Sequence, residues 1–165
     1  MKIVIGSDHA GFELKEDLKA FLAERGVDVV DLGASGKDPV DYPDIGQAVA
    51  EKISAGEFPR GILICGTGIG MSIVANRFPG VRAALCHDVY TARLCREHND
   101  ANLLILAGFL TAKRLAREIL NVWLEASFQG ERHRRRLEKI RAIEERIWKI
   151  EEKKRKERGV TGLNV

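Results

Sequence analysis

The sequence predicts a three-layer α/β/α protein: a Rossmann-like open sheet of five parallel strands, extended by one long C-terminal helix. Three observations carry this expectation. Apolar runs of strand length alternate with segments whose apolar residues recur every three or four positions, which implies parallel strands joined by helical crossovers. The strand runs are of the buried type, Ile62-Leu63-Ile64 between glycines being the clearest, so helices must cover both faces of the sheet. The length, 165 residues, favours one domain and suffices to bury a core without disulfides or metals.

Along the chain, residues 2–7 form the first strand. In residues 12–25, Leu14, Leu18, Phe21 and Leu22 share one helical face, and Gly26 is the stop signal. Residues 27–32 read as a second strand and residues 33–41, rich in Gly, Ser and Asp, as a loop. Pro43 opens a helix through Lys52. The third strand is residues 61–65, with a helix over residues 70–76. Residues 81–86 form the fourth strand, 89–98 the fourth helix, 102–107 the fifth strand and 111–126 the fifth helix. The α/β domain thus spans residues 1–130. Residues 131–158 carry Leu137, Ile140, Ile143, Ile147 and Ile150 three or four apart, one stripe of a long helix that must pack against protein. Residues 159–165 lack periodicity and read as a loose tail.

Composition narrows the function classes. Hydrophobic residues at 45% and charged residues at 31% are ordinary for a soluble globular protein. The apolar runs fall far short of a membrane span, and the N-terminus runs straight into a strand with no signal stretch, so a cytosolic protein without membrane contact is expected. Cys65, Cys86 and Cys95 are odd in number and lack disulfide-type spacing, which fits a reducing compartment. No Cys-x-x-Cys or His-x-x-x-His spacing suggests zinc. Of 27 basic and 24 acidic residues, 13 and 7 fall in residues 131–158. A basic segment can mean nucleic acid, but interspersed acids, few aromatics and a regular apolar stripe favour a solvated helix face.

In an open α/β sheet, ligands sit beyond the carboxyl ends of the strands. That rule selects Ser7-Asp8-His9, Cys65-Gly66-Thr67-Gly68-Ile69-Gly70 and His87-Asp88. Cys65 ends a buried strand and precedes a glycine-rich turn into a helix. Its side chain is expected at the mouth of the sheet, where the amides of Gly66 to Gly70 can converge on an anion and a helix N-terminus favours thiolate over thiol. The alternative is a buried small hydrophobe, the expected fate of Cys86 and Cys95. The glycine run is neither a dinucleotide fingerprint, its third glycine coming one residue early, nor a P-loop, since no Gly-Lys-Ser/Thr follows. Asp8 and His9 suit sugar hydroxyls or proton transfer, unless Asp8 caps the next helix. His98-Asn99-Asp100 could equally be a helix C-terminal cap. Arg132 and Arg136 are four apart on one helical face and suit a phosphate dianion, or else form a solvated basic face.

Together these residues resemble one family. Gly6-Ser7-Asp8-His9-Ala10-Gly11, Asp41-Tyr42-Pro43-Asp44, Cys65-Gly66-Thr67-Gly68-Ile69-Gly70-Met71-Ser72, Ala75-Asn76-Arg77, Val81-Arg82-Ala83-Ala84, Glu97-His98-Asn99-Asp100-Ala101-Asn102 and Arg132-His133 are similar to the type B ribose-5-phosphate isomerases, which include allose- and galactose-6-phosphate isomerases. The match runs from Met1 to about Ile143. The resemblance implies a metal-free, cofactor-free isomerase of a phosphorylated sugar that works through an enediolate, with sites shared between subunits of a homodimer or dimer of dimers. It implies that Cys65 is the base, that Thr67 and the amides of Gly66, Gly68 and Gly70 steady the enediolate, and that His98 opens the sugar ring. It further implies sugar contacts from Asp8, His9, Tyr42 and Asn99, and phosphate ligation by Arg132 and Arg136. Base, anion cradle and phosphate anchor are what proton transfer beside a carbonyl requires.

Two departures stand out. The family usually carries an arginine after the fifth strand, where this chain has Phe109. The chain also continues beyond the usual end into the charged helix, which is expected to support assembly rather than chemistry. The competing functions are isomerisation of a hexose or tetrose phosphate, a non-catalytic phosphosugar-binding module, and a nucleic-acid binder using the basic helix.

Overall fold

A computed structural model describes residues 2–158. Five strands and six helices follow in the order β1 (Lys2–Ser7), α1 (Phe12–Glu24), β2 (Asp28–Asp31), α2 (Tyr42–Ser54), β3 (Gly61–Cys65), α3 (Ile69–Ala75), β4 (Ala83–Leu85), α4 (Val89–Asn99), β5 (Leu103–Ala107), α5 (Lys113–Glu125) and α6 (Glu131–Glu157). All strand pairs are parallel, in the order β2-β1-β3-β5-β4. From β1 the chain first winds to one side, to β2, and then crosses to β3 on the other. The ends of β1 and β3 therefore flank a topological switch point, where loops splay apart and leave a crevice.

Side-chain alternation along the strands splits the core into two layers. Ile3, Ile5, Ile62, Ile64, Leu104 and Leu106 face one way, against Leu14, Leu18 and Leu22 of α1, Ala92 of α4 and Ile119, Leu120 and Trp123 of α5. Val4, Leu63, Cys65, Leu103 and Ile105 face the other way, against Val49, Ala50 and Ile53 of α2 and Met71 and Ala75 of α3. Each buried Val, Leu, Ile or Met among these contributes about 1.5–3 kcal/mol. The three expected layers are therefore present, and the alternation sends Cys65 toward the α2/α3 side.

Element ends moved where local hydrogen bonds take over the backbone. The fourth strand is shorter than the expected residues 81–86. The N–H of Val81 closes a turn onto Phe78 O at 3.1 Å, and that of Arg82 goes to the Asn102 side chain at 2.8 Å, so neither joins the sheet as a strand residue. Val27 N–H bonds back to Leu22 O at 3.0 Å and delays β2 by one residue.

The chain divides into two compact units between Gln129 and Gly130. The second holds α6, 27 residues without Gly or Pro. The expectation for residues 159–165 lies outside the described residues. Among the described residues, no helix is long and apolar enough to cross a membrane.

Candidate active site

Cys65 is the last residue of β3 and is 4% exposed. The chain then turns through Gly66-Thr67-Gly68 into α3. Gly68 takes up φ 76°, ψ −17°, a left-handed conformation that costs an L-residue with a Cβ roughly 1–2 kcal/mol. This turn aims the Gly68 N–H at the Cys65 sulfur, 3.2 Å away. The Ile69 N–H approaches Thr67 Oγ1 at 3.4 Å. The loop thus sets one backbone donor on the thiol, at the carboxyl end of β3.

Two aromatic rings close on the loop. The Tyr42 ring, from the first residue of α2, lies against Gly70, where an added methyl carbon would meet Cε2 at 2.5 Å. The Phe109 ring lies against Gly66, where it would be met by Cε2 at 2.5 Å. Phe109 N–H donates to Gly66 O at 3.0 Å, which fixes the turn after β5 beside the cysteine loop, and the ring is 73% exposed.

The β1–α1 turn forms the next wall. Asp8 N–H donates to Ile64 O at 3.3 Å, one residue before Cys65. The buried Asp8 carboxylate accepts the Gly11 N–H at 2.9 Å, so it holds the turn into α1. The exposed His9 accepts the Val40 N–H on Nδ1 at 3.2 Å, which joins this turn to the segment leading into Tyr42. Asp8, His9, Tyr42, Cys65, Thr67 and the three glycines therefore meet at one edge of the sheet. His87-Asp88 follows β4, and the Asp88 carboxylate accepts the Thr91 N–H at 2.7 Å as the cap of α4.

His98 and Asn99 do not join them. They end α4, just before β5 begins. Leu103 of β5 pairs with Gly61, the first residue of β3, whereas Cys65 pairs with Ala107. Within one chain, the whole length of β3, about 13 Å, separates the two edges. Sequence reasoning missed what holds this second cluster. Asp100, in the left-handed region at φ 44°, is gripped by Arg82 Nη2 at 3.0 Å and Arg96 Nη1 at 2.8 Å. Arg82 Nε also donates to the carbonyls of Asn99 and Asp100, at 3.1 and 2.9 Å. Arg96 donates to Ala101 O at 2.7 Å and stacks over Trp123. The i,i+4 spacing of Arg96 and Asp100 at a helix end was the available signal.

Arg132 and Arg136 belong to the C-terminal unit, one turn apart at the start of α6. Arg132 Nε donates to His133 Nε2 at 3.3 Å.

Residues 3–140 match the ribose/galactose isomerase family. The chain belongs to that family. Ribose-5-phosphate isomerase B of Escherichia coli (strain K12) is 47% identical over 145 residues, which is 88% of this chain and 97% of that protein. A 4-deoxy-4-sulfo-D-erythrose isomerase from Clostridium sp. (strain MSTE9) is 42% identical over 92% of this chain and 96% of its own length. The structure of Clostridium thermocellum ribose-5-phosphate isomerase B superposes with a TM-score of 0.87 at 52% identity, covering 89% of this chain and 99% of that one. The family match covers the cysteine loop and its neighbours. It stops at residue 140 and leaves most of α6 outside.

Proposed function

We propose that this protein interconverts ribose 5-phosphate and ribulose 5-phosphate by proton transfer through an enediolate, with Cys65 as the base. The observation that carries the reading is the Cys65 sulfur at the carboxyl end of β3, wrapped by the Gly66–Gly70 turn and receiving the Gly68 N–H. Cys65 takes the proton from C2 of the open-chain aldose. The electron pair forms the C1–C2 double bond, and the charge passes to the former carbonyl oxygen. Thr67 and the amides of Gly66, Gly68 and Gly70 steady that oxygen. The proton of the C2 hydroxyl passes to the C1 oxygen, and return of the Cys65 proton to C1 as the C2–O bond becomes the carbonyl gives the ketose. Asp8, His9, Tyr42 and Asn99 hold the sugar, and Arg132 and Arg136 take the phosphate as charge-assisted ligands.

His98 opens the ring, but it sits at the far edge of the sheet from the Cys65 of its own chain. The complete site therefore uses Cys65 of one chain and His98 and Asn99 of a second, which makes the working unit a homodimer or a pair of such dimers. The odd cysteine count favours a reducing compartment such as the cytosol, and the acids interspersed in the basic helix weigh against a nucleic-acid partner.

A second reading, a tetrose-phosphate isomerase, draws on Phe109. An exposed ring against Gly66 stands where an arginine was expected, and one relative is named a D-erythrulose-4-phosphate isomerase. A panel of pentose, hexose and tetrose phosphates tests both. The expected result is the highest kcat/KM with ribose 5-phosphate. A tenfold preference for a tetrose phosphate would establish the second reading. Binding without turnover of any sugar would reduce the protein to a binding module.

A further inference from the structure

Among the described residues, α6 carries a seam of half-exposed isoleucines. Ile140, Ile143, Ile147 and Ile150 are 43%, 48%, 53% and 46% exposed. Their spacing of three, four and three residues is a heptad spacing, with Ile140 and Ile147 at the a positions and Ile143 and Ile150 at the d positions. A stripe repeating every 3.5 residues stays in one line only when two helices wind around each other. A helix that merely covers a globular domain shows the broader 3.6-residue face.

The residues beside the seam say what covers it. On one flank, the g positions hold Lys139, Arg146 and Lys153. On the other, the e positions following Ile143 and Ile150 hold Glu144 and Glu151. In a parallel pair, g of one helix faces the next e of its partner, so Lys139 meets Glu144 and Arg146 meets Glu151, each twice by symmetry. Lys153 would meet Arg158, an unfavourable pair beyond the last isoleucine. In an antiparallel pair, g faces g and e faces e, and every central contact is between like charges. The flanks of the seam are thus complementary to themselves in one orientation only.

The outer face supports this division. Arg141 pairs with Glu145 at 3.4 Å and Lys156 with Glu152 at 2.7 Å, all at positions turned away from the seam. Those ion pairs stiffen the helix without engaging the flanking charges. Glu151 pairs with Lys154 at 3.0 Å and Lys153 with Glu157 at 3.8 Å within the helix, so flank residues exchange exposed partners on pairing.

We propose that α6 pairs through Ile140, Ile143, Ile147 and Ile150 with α6 of a second copy of this chain, as a parallel, in-register coiled coil. Three of the four isoleucines lie beyond residue 140, where the match to the family model ends, and the contact does not depend on the isomerase reading. It gives the extension a definite geometry: the C-terminal ends of two α6 helices lie side by side.

Site-directed crosslinking of the full-length protein tests this. Lys154 occupies the a position after Ile150, so Lys154→Cys places identical thiols opposite each other only in a parallel pair. Under a mild thiol oxidant, this variant is expected to form disulfide-linked dimers on a denaturing gel, while the wild type, with Cys65, Cys86 and Cys95 unchanged, does not. Absence of that link overturns the proposal. So does a mixed link between Arg136→Cys and Lys154→Cys chains, which only an antiparallel pair brings together. In the Lys154→Cys background, Lys139→Glu with Arg146→Glu should slow linking at least tenfold, and adding Glu144→Lys with Glu151→Lys should restore it. A linking rate indifferent to these reversals would refute the parallel flank pairing. Isomerase activity is read separately, so loss of the link and loss of catalysis are told apart.

Discussion

At Cys65, position and surroundings act together. A thiol inside a strand would be one more small core side chain. At the strand's carboxyl end it remains buried on the α2/α3 side of the core, but the Gly68 N–H lies 3.2 Å from its sulfur. Cys65→Ala is expected to lower isomerisation about 10²- to 10⁴-fold, the usual loss on removing a general base, with the circular dichroism spectrum and melting temperature near wild type. Near-normal turnover would remove Cys65 from the mechanism. Gly68 makes the geometry possible, because at φ 76° a Cβ would lie 2.5 Å from Leu85 Cδ1 and 3.1 Å from Leu106 O. Gly68→Ala should cost roughly 1–2 kcal/mol from backbone strain alone, measured by denaturant unfolding, and should depress kcat as the loop shifts. The position of the cysteine and its glycines at the carboxyl edge of the sheet was legible in sequence because strand, turn and helix follow one another directly. The grip of Arg82 and Arg96 on Asp100 was only half legible, since the Arg82 contact spans 18 residues and a change of element.

Among the elements, α1 and the segment after β2 are tied by charge. Buried Lys15 donates to Asp31 at 2.6 Å and to Ala34 O at 2.8 Å, and Lys19 reaches the same carboxylate at 2.7 Å. Ala34 N–H in turn bonds Ser7 O at 2.8 Å, at the end of β1 where Asp8 begins its turn. Burial alone would push the Asp31 carboxyl up, but Lys15, Lys19 and the Gly33 N–H outweigh it and hold it below the usual carboxylate range. A carboxyl lowered on folding adds stability above its unfolded value, near pH 4, and loses it as pH falls through the lower folded value. Melting temperature followed from pH 6 to pH 2.5 should therefore fall less steeply below pH 4 in Asp31→Asn than in wild type. An unchanged slope would show that Asp31 does not report on folding. Lys15→Ala should cost about 1.5–3 kcal/mol, the range for a hydrogen bond to a charged group. Sequence reading placed Leu14, Leu18 and Leu22 on the buried face of α1 but gave no reason to bury Lys15 beside them, because its partner lies 16 residues away.

For the molecule as a whole, the parallel sheet sets two edges about one strand length apart, and the proposed catalytic set is divided between them. A site built from two chains makes a sharp expectation. Cys65→Ala and His98→Ala chains, each inactive alone, should regain activity when unfolded together and refolded. Random pairing makes half the dimers mixed, each with one intact site of two, so about a quarter of wild-type turnover should return. If the mixture stays inactive while the separately refolded wild type recovers, His98 and Cys65 serve the same chain or His98 serves none.

By itself the sequence determined the strand and helix alternation, the layered fold, the place of Cys65 and the stripe on α6. These follow from local periodicity, glycine chemistry and the rule that ligands meet the carboxyl ends of parallel strands. That His98 stands at the opposite edge follows from the same alternation, since a helix-to-strand turn lies at the amino ends of parallel strands. What the sequence could not say is that Ser7–His9, Tyr42 and Phe109 close around the glycine loop, which strand order decides, since β1 and β5 lie on either side of β3. That order depends on which helices cover which face, a matter of packing between residues distant in sequence, and only the folded chain brings those residues together.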